Sequence, residues 1–275
     1  MIDYNSYKTT KSFGKRIRFL ILHYTAVNFS DSIAELTKGP TSAHYLVPDP
    51  TDPTYIQAGF KEMRIFSLVD ECDRAWHAGV SAWEDRTSLN DTSIGIETVN
   101  LARDDNGVFT FPPFQKAQIE GIIALARNIL HRYPDITPTH VLGHSDIAVG
   151  RKSDPGAAFP WHQLHKSGVG AWYDSSTKAM FLKRYGKHPL SKEAALQLFK
   201  TYGYDTSSAA TDAGFKSLVR AFQLHFRPAK YDGVLDVETA AILASLVSKY
   251  FPAKENPRRL NMPTKKPGAW PGSLL

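Results

Sequence analysis

The sequence predicts an α/β fold, a mixed central β-sheet flanked by helices, followed by a small all-α unit of three helices. Three observations lead there. Up to residue 173, short apolar runs of strand length are interspersed with helical patterns. One long amphipathic segment, 114–133, precedes the last of those runs. After Trp172 the strand patterns stop, and three amphipathic segments lead into a Pro- and Lys-rich end.

The elements follow in order. RFLILHYT (18–25) is an apolar run with a polar end and reads as a buried strand. AHYLVP (43–48) reads as a second strand, stopped by Pro48, and RIFSLV (64–69) alternates as a third. SIGIETVN (93–100) places Ile94, Ile96 and Thr98 on one face and Gly95, Glu97 and Val99 on the other. In FQKAQIEGIIALARNILHRY (114–133), Ile119, Ile122, Ile123, Ala126, Ile129, Leu130 and Tyr133 recur at helical spacing, between Pro112-Pro113 and Pro134. HVLGH (140–144) is a last short strand. These elements assign 1–173 to one domain, with 174–190 as a connecting segment. A helical domain over 191–252 with its own core then comprises 191–204 (Ser191 as N-cap), 211–228 and 236–252 (Asp236 as N-cap). The tail, 253–275, reads as extended or disordered.

Composition narrows the function classes. A chain of 275 residues with 42% hydrophobic and 22% charged residues buries a core without staples. Its single cysteine, Cys72, excludes an internal disulfide and Cys-rich zinc sites. The N-terminal apolar run FLIL is too short for a signal peptide, and no run is long enough to span a membrane. The chain as written therefore reads as cytosolic, as a mature form, or as exported by a route that needs no such signal. The net charge of +6 suits an anionic polymer such as a cell wall. The basic residues are scattered, which argues against nucleic acid.

Several residues can carry chemistry. His23 and His144 end the first and last strands, and Asp154 follows on the glycine-broken loop GHSDIAVGRKSDPG. Strand ends at one sheet edge can bring such a trio to a catalytic metal, which needs three protein ligands and one open position. In a chain with ten His the spacing also fits histidines satisfied by backbone carbonyls. Glu97, on a strand among small and apolar neighbours, is a candidate general base or an exposed strand glutamate. Lys152 can stabilise an oxyanion beside such a metal. Arg151 could do the same or face water, and Asp146 and Arg151 are candidates for shaping the loop. Gly143 and Gly150 would let the loop turn back. Ser145 lacks the G-x-S-x-G context of a nucleophile elbow.

LHYT, AHYLV, AWHAG, LNDTSIGIE and GHSDIAVGRKSDPG, in this order, resemble the zinc-dependent N-acetylmuramoyl-L-alanine amidases of the type 2 (AmpD-like) family, over residues 15–173. YGY (202–204), AFQLHF (221–226) and YDGVLDVETAAIL (231–243) are similar to the helical peptidoglycan-binding module of the two-domain, envelope-acting members from Gram-negative bacteria. The resemblance implies one Zn2+ on His23, His144 and Asp154, with Glu97 activating water and Lys152 polarising the scissile carbonyl. It implies substrate contacts from His44, Trp76, His77 and Asn90. Some members carry an Arg nine residues before the base. Here that position is Ser88, and Arg64 or Arg86 could substitute. The implied partners are peptidoglycan and muropeptides, and the implied location is the periplasm or cell envelope. The rival reading is a recognition protein that binds peptidoglycan without cutting it. In such proteins the metal ligands are usually missing, whereas here all are present.

Overall fold

A computed structural model describes residues 1–105 and 107–252. In chain order the elements are β1 (Phe19–Leu22), α1 (Phe29–Lys38), β2 (Tyr45–Val47), α2 (Pro53–Gln57), β3 (Phe66–Ser67), β4 (Ala82–Trp83), β5 (Arg86–Thr87), β6 (Ser93–Thr98), β7 (Arg103–Asp105) and β8 (Val108–Thr110). There follow α3 (Lys116–Arg132), β9 (Val141–Gly143), α4 (His144–Ile147), α5 (Trp161–Lys166), α6 (Ser175–Lys187), α7 (Lys192–Tyr202), α8 (Asp212–Phe226) and α9 (Val237–Tyr250). The central sheet has the order β3-β2-β6-β1-β9. Its pairs are parallel except β2 with β3 at the edge, so the sheet is mixed as expected.

β1 lies between two parallel neighbours, and all four of its residues are buried. That is why its sequence is an unbroken apolar run. Ile119, Ile122, Ala126 and Ile129 of α3 join the core that holds β1 and β6. The strands are shorter than the apolar runs that announced them. The run 64–69 gives only the two-residue edge strand β3, leaving Arg64 outside it. His144 does not end a strand but starts α4, because the Asp146 carboxylate turns back to accept the Gly143 N–H at 2.8 Å.

Beyond residue 173 the three expected helices are present as α7, α8 and α9. Their caps are as read: Ser191 Oγ accepts from the Ala194 N–H and the Asp236 side chain from the Thr239 N–H. A fourth helix, α6, occupies the segment read as a connector, and its Tyr185 packs with Ala240, Ala241 and Ala244 of α9. The expectation of a separate core for 191–252 is corrected. Phe199, Tyr202, Leu218, Phe222 and Phe226 belong to the same buried cluster as Leu20, Ile94 and Leu142. The reason is a shared aromatic contact. Trp83 is fully buried, with Tyr204 edge-on at 4.8 Å and Tyr202 at 6.0 Å. Gly203 has φ +130°, and a Cβ there would lie 2.5 Å from the Trp83 ring. The tail, 253–275, lies outside the described residues. Among these, no helix is long and apolar enough to cross a membrane.

A core shared across residue 173 should unfold as one unit. Urea unfolding followed by circular dichroism is expected to give one transition, and Trp83→Ala to lower stability by about 3–5 kcal/mol. A separate, earlier transition for the C-terminal helices would contradict the shared core.

Candidate active site

The site is built by strand register. Leu22 of β1 pairs with Ile96 of β6 on one side and with Gly143 of β9 on the other. The next residues along the three parallel strands are His23, Glu97 and His144. Three side chains that are 74 and 47 residues apart in sequence therefore stand level at one sheet edge. The loop after α4 then returns, and Ser145 N–H donates to the Asp154 carbonyl at 2.9 Å. Gly150 allows this turn with φ +74°. Gly143 acts differently from expectation. Its φ is an ordinary −84°, and what matters is space, since a Cβ would come within 2.7 Å of Pro155.

The hydrogen bonds fix the histidine tautomers. Ser93 Oγ donates to the Leu89 carbonyl at 2.6 Å, so it can only accept from His77 Nε2 at 3.2 Å. His77 Nδ1 is then bare and accepts from His23 Nε2 at 3.0 Å. His23 Nδ1 is left as a lone pair. His144 reaches the same state directly, because its Nε2 donates to the Ala78 carbonyl at 3.0 Å. Both bare Nδ1 atoms face Asp154 Oδ2, at 2.9 Å from His23 and 3.0 Å from His144, and lie 3.1 Å from each other.

Three buried lone-pair donors at such separations repel one another unless a cation lies between them. A tetrahedral ion with bonds of about 2.0–2.1 Å holds its ligands about 3.3 Å apart. The trio fits that geometry, and N, N, O donors suit zinc. Glu97 stands next to it, 4.0 Å from His23 Nδ1, with its side chain 14% exposed. Its Oε2 is buried without a hydrogen-bond partner among the described residues. The group opens into a cleft of about 380 Å³ lined also by Tyr24, Trp76 and Lys152.

Residues 13–157 match the family model described as N-acetylmuramoyl-L-alanine amidase. The chain is 45% identical over 237 residues to the N-acetylmuramoyl-L-alanine amidase AmiD of Escherichia coli, covering 86% of this chain and 84% of that one. The chain belongs to the N-acetylmuramoyl-L-alanine amidase family. It is an enzyme, a hydrolase of the amide between N-acetylmuramic acid, or its 1,6-anhydro form, and L-alanine of the stem peptide. Crystallographic AmpDh3 of Pseudomonas aeruginosa is similar along most of the chain, with a TM-score of 0.88 and 59% identity over 91% of this chain and 98% of that one. AmiD from E. coli, bound to anhydro-N-acetylmuramic acid-L-Ala-D-gamma-Glu-L-Lys, gives a TM-score of 0.79 and 42% identity over 90% and 97% of the two chains.

Burial sets the protonation states at the amidase site. It pushes the His23 imidazole down to about 4, against the Asp154 carboxylate, which favours the protonated ring. It also lowers His77, with the neighbouring histidines adding to the effect. Burial opposes ionisation of Asp154 too, and charge and hydrogen bonds from protonated His144 and His23 rings hold its carboxyl well below the usual range; with both Nδ1 atoms bare, a cation between the ligands would take over that role. For Glu97, burial and then the Asp154 charge raise the pKa well above the ordinary value, and Lys152 only partly counters them. That is the condition of a proton acceptor poised for catalysis.

The other residues singled out from sequence divide. Lys152 is exposed and lines the cleft. Trp76 also lines it, 52% exposed, with the Arg74 guanidinium 4.6 Å from its ring. His77 borders the cleft but is held by His23 and Ser93, so it orients His23. His44 is 0% exposed, and its Nδ1 accepts the Gly95 N–H at 3.0 Å, which corrects its reading as a substrate contact. Asn90 is likewise internal, because its Oδ1 accepts from the His77 and Ala78 N–H groups. Arg64 and Arg86 are exposed on the surface away from the cleft. Arg151 braces the site by donating to the carbonyls of Ala78 and Val80 at 2.9 and 2.7 Å. Asp146 does shape the loop, as a buried carboxylate bound by Tyr204, just after α7, and by His225 of α8 at 2.6 and 2.7 Å.

Ser93 escaped the sequence reading because a serine opening a strand carries no signal; only its position beneath His77 gives it a role. Ser93→Ala is expected to weaken zinc binding about 10–100-fold in a competition titration, by freeing the tautomer of His77. An unchanged affinity would contradict the relay. The depressed pKa of His23 means the metal-free fold binds fewer protons than the unfolded chain between about 4 and 6.5. Its contribution is therefore present above pH 6.5 and lost as pH falls toward 4. Metal-free unfolding at pH 7.5 and 4.5, compared with His23→Asn, should show the difference shrinking in the variant.

Proposed function

We propose that the amidase holds one zinc ion through His23 Nδ1, His144 Nδ1 and Asp154 Oδ2, and that Glu97 and Lys152 carry the proton and charge chemistry. The observation that supports this most is the convergence of two tautomer-fixed lone pairs and a carboxylate oxygen on one buried point. A zinc ion there supplies Lewis acidity toward the amide carbonyl and toward water.

Glu97 Oε2, unpartnered and with a raised pKa, takes a proton from the attacking water. The water oxygen bonds to the lactyl carbonyl carbon of the muramic acid. Negative charge gathers on the carbonyl oxygen, where the Lys152 ammonium stabilises it. Glu97 then returns the proton to the alanine nitrogen as the C–N bond breaks, since an amine anion does not leave. The products are the muramic carboxylate and a free stem peptide. Trp76 offers an apolar wall to the sugar or peptide. The substrate is cell-wall peptidoglycan or its anhydro-muropeptides, and the enzyme works in the periplasm or envelope. Helices α7, α8 and α9 serve as the peptidoglycan-binding part.

Chelation is expected to abolish release of stem peptide from sacculi and from anhydro-muropeptide, with zinc restoring it, as read by mass spectrometry. Glu97→Ala is expected to lower kcat at least about 10²-fold while zinc content stays at one per chain. A variant near wild-type rate would remove Glu97 from the role. Lys152→Ala is expected to lower kcat about 10²-fold with a smaller change in KM.

A further inference from the structure

The catalytic cleft does not end at Lys152. A second cavity of about 220 Å³ shares Asp104, Arg151, Lys152 and Ser153 with it and continues to α8. Its far wall is Phe109, Ser217 and Arg220. The opening exists because Gly150 faces α8 without a side chain, where a Cβ would lie 3.2 Å from Ser217. At this end the groove carries an arginine whose chemistry is unused. The Arg220 guanidinium lies 5.4 Å from the Phe109 ring centre, which holds it in place. Its Nε is buried with no hydrogen-bond partner among the described residues. A buried donor left unpaired is costly unless a ligand completes it. Asp104 is the acidic group in the groove, against Arg151, Lys152 and Arg220. Arg151 is already engaged with two carbonyls, so Arg220 is the cation left to receive a ligand at that end.

We infer that Arg220 and the groove joining it to the cleft form a subsite for a free carboxylate of the stem peptide, contributed by the C-terminal helices. The inference rests on the amidase reading above. A γ-linked glutamate keeps its α-carboxylate, and the peptide keeps its C-terminal carboxylate, so the substrate offers the same group from two sources. A planar guanidinium receives either one in a two-point hydrogen bond. Arg220 thus brings a cation to the groove from the C-terminal helices, outside the sheet domain.

The test uses the full-length zinc enzyme and three synthetic anhydro-muramyl tripeptides. One has both carboxylates free, one has the glutamate carboxylate amidated, and one has the C-terminus amidated. The wild type is expected to favour the free acid over one of the amides by roughly tenfold in kcat/KM, carried by KM. The amide that loses the preference identifies the source. Arg220→Met, which keeps the stem over Phe109, is expected to erase that preference, and Arg220→Lys to restore part of it. A variant that merely loosened the fold would slow all three substrates alike. If Arg220→Met keeps the wild-type preference, or the wild type has none, the subsite is overturned. If the wild type cleaves no substrate with zinc present, the amidase reading itself fails.

Discussion

The in-register pairing of β1 with β6 and β9 is the constraint on which the site depends. Because Leu22 is level with both Ile96 and Gly143, the residues that follow all reach the same sheet edge. A one-residue slip of β6 or β9 would send Glu97 or His144 to the wrong face. The apolar filling of β1, buried on both sides, is what makes that register costly to change. Gly95 adds a second lock. A Cβ there would fall 2.5 Å from the His77 ring, so the strand can pass beneath His77 only as glycine.

Around that edge the protein orients its candidate metal ligands from beneath. A backbone carbonyl fixes Ser93, Ser93 fixes His77, and His77 fixes His23; a separate carbonyl fixes His144. Outer contacts of this kind set which nitrogen is available and how the ring points. The His144 end is tied to the C-terminal helices through Asp146. That carboxylate accepts from Gly143, Tyr204 and His225, and the His225 ring is stacked 3.7 Å from Trp161. The C-terminal helices therefore help hold the loop that carries two metal-ligand candidates, besides any contact they make with the cell wall.

Much of this was legible in the sequence. The apolar run 18–25 and the alternation of 93–100 gave strands whose polar ends marked His23 and Glu97, and 114–133 gave α3 almost to its ends. Motif order pointed to His23, His144 and Asp154, which the fold brings together. Other features were not legible, for identifiable reasons. The segment 174–190 looked like a connector because α6 packs chiefly against α9, a partner that local pattern does not reveal. The shared core was hidden because Trp83 and Tyr202 are far apart in sequence. His44 and Asn90 looked like substrate contacts, but a polar side chain spent on a backbone group resembles one aimed at a ligand until the fold is seen.

The central claim is that the fold presents His23 and His144 with bare Nδ1 and protonated Nε2 toward one point. The most direct measurement is the tautomeric state of these rings by nitrogen-15 NMR on the metal-free amidase at neutral pH. The account predicts Nδ1 unprotonated and Nε2 protonated in both. A proton on Nδ1 of either ring, in the neutral state, would contradict it.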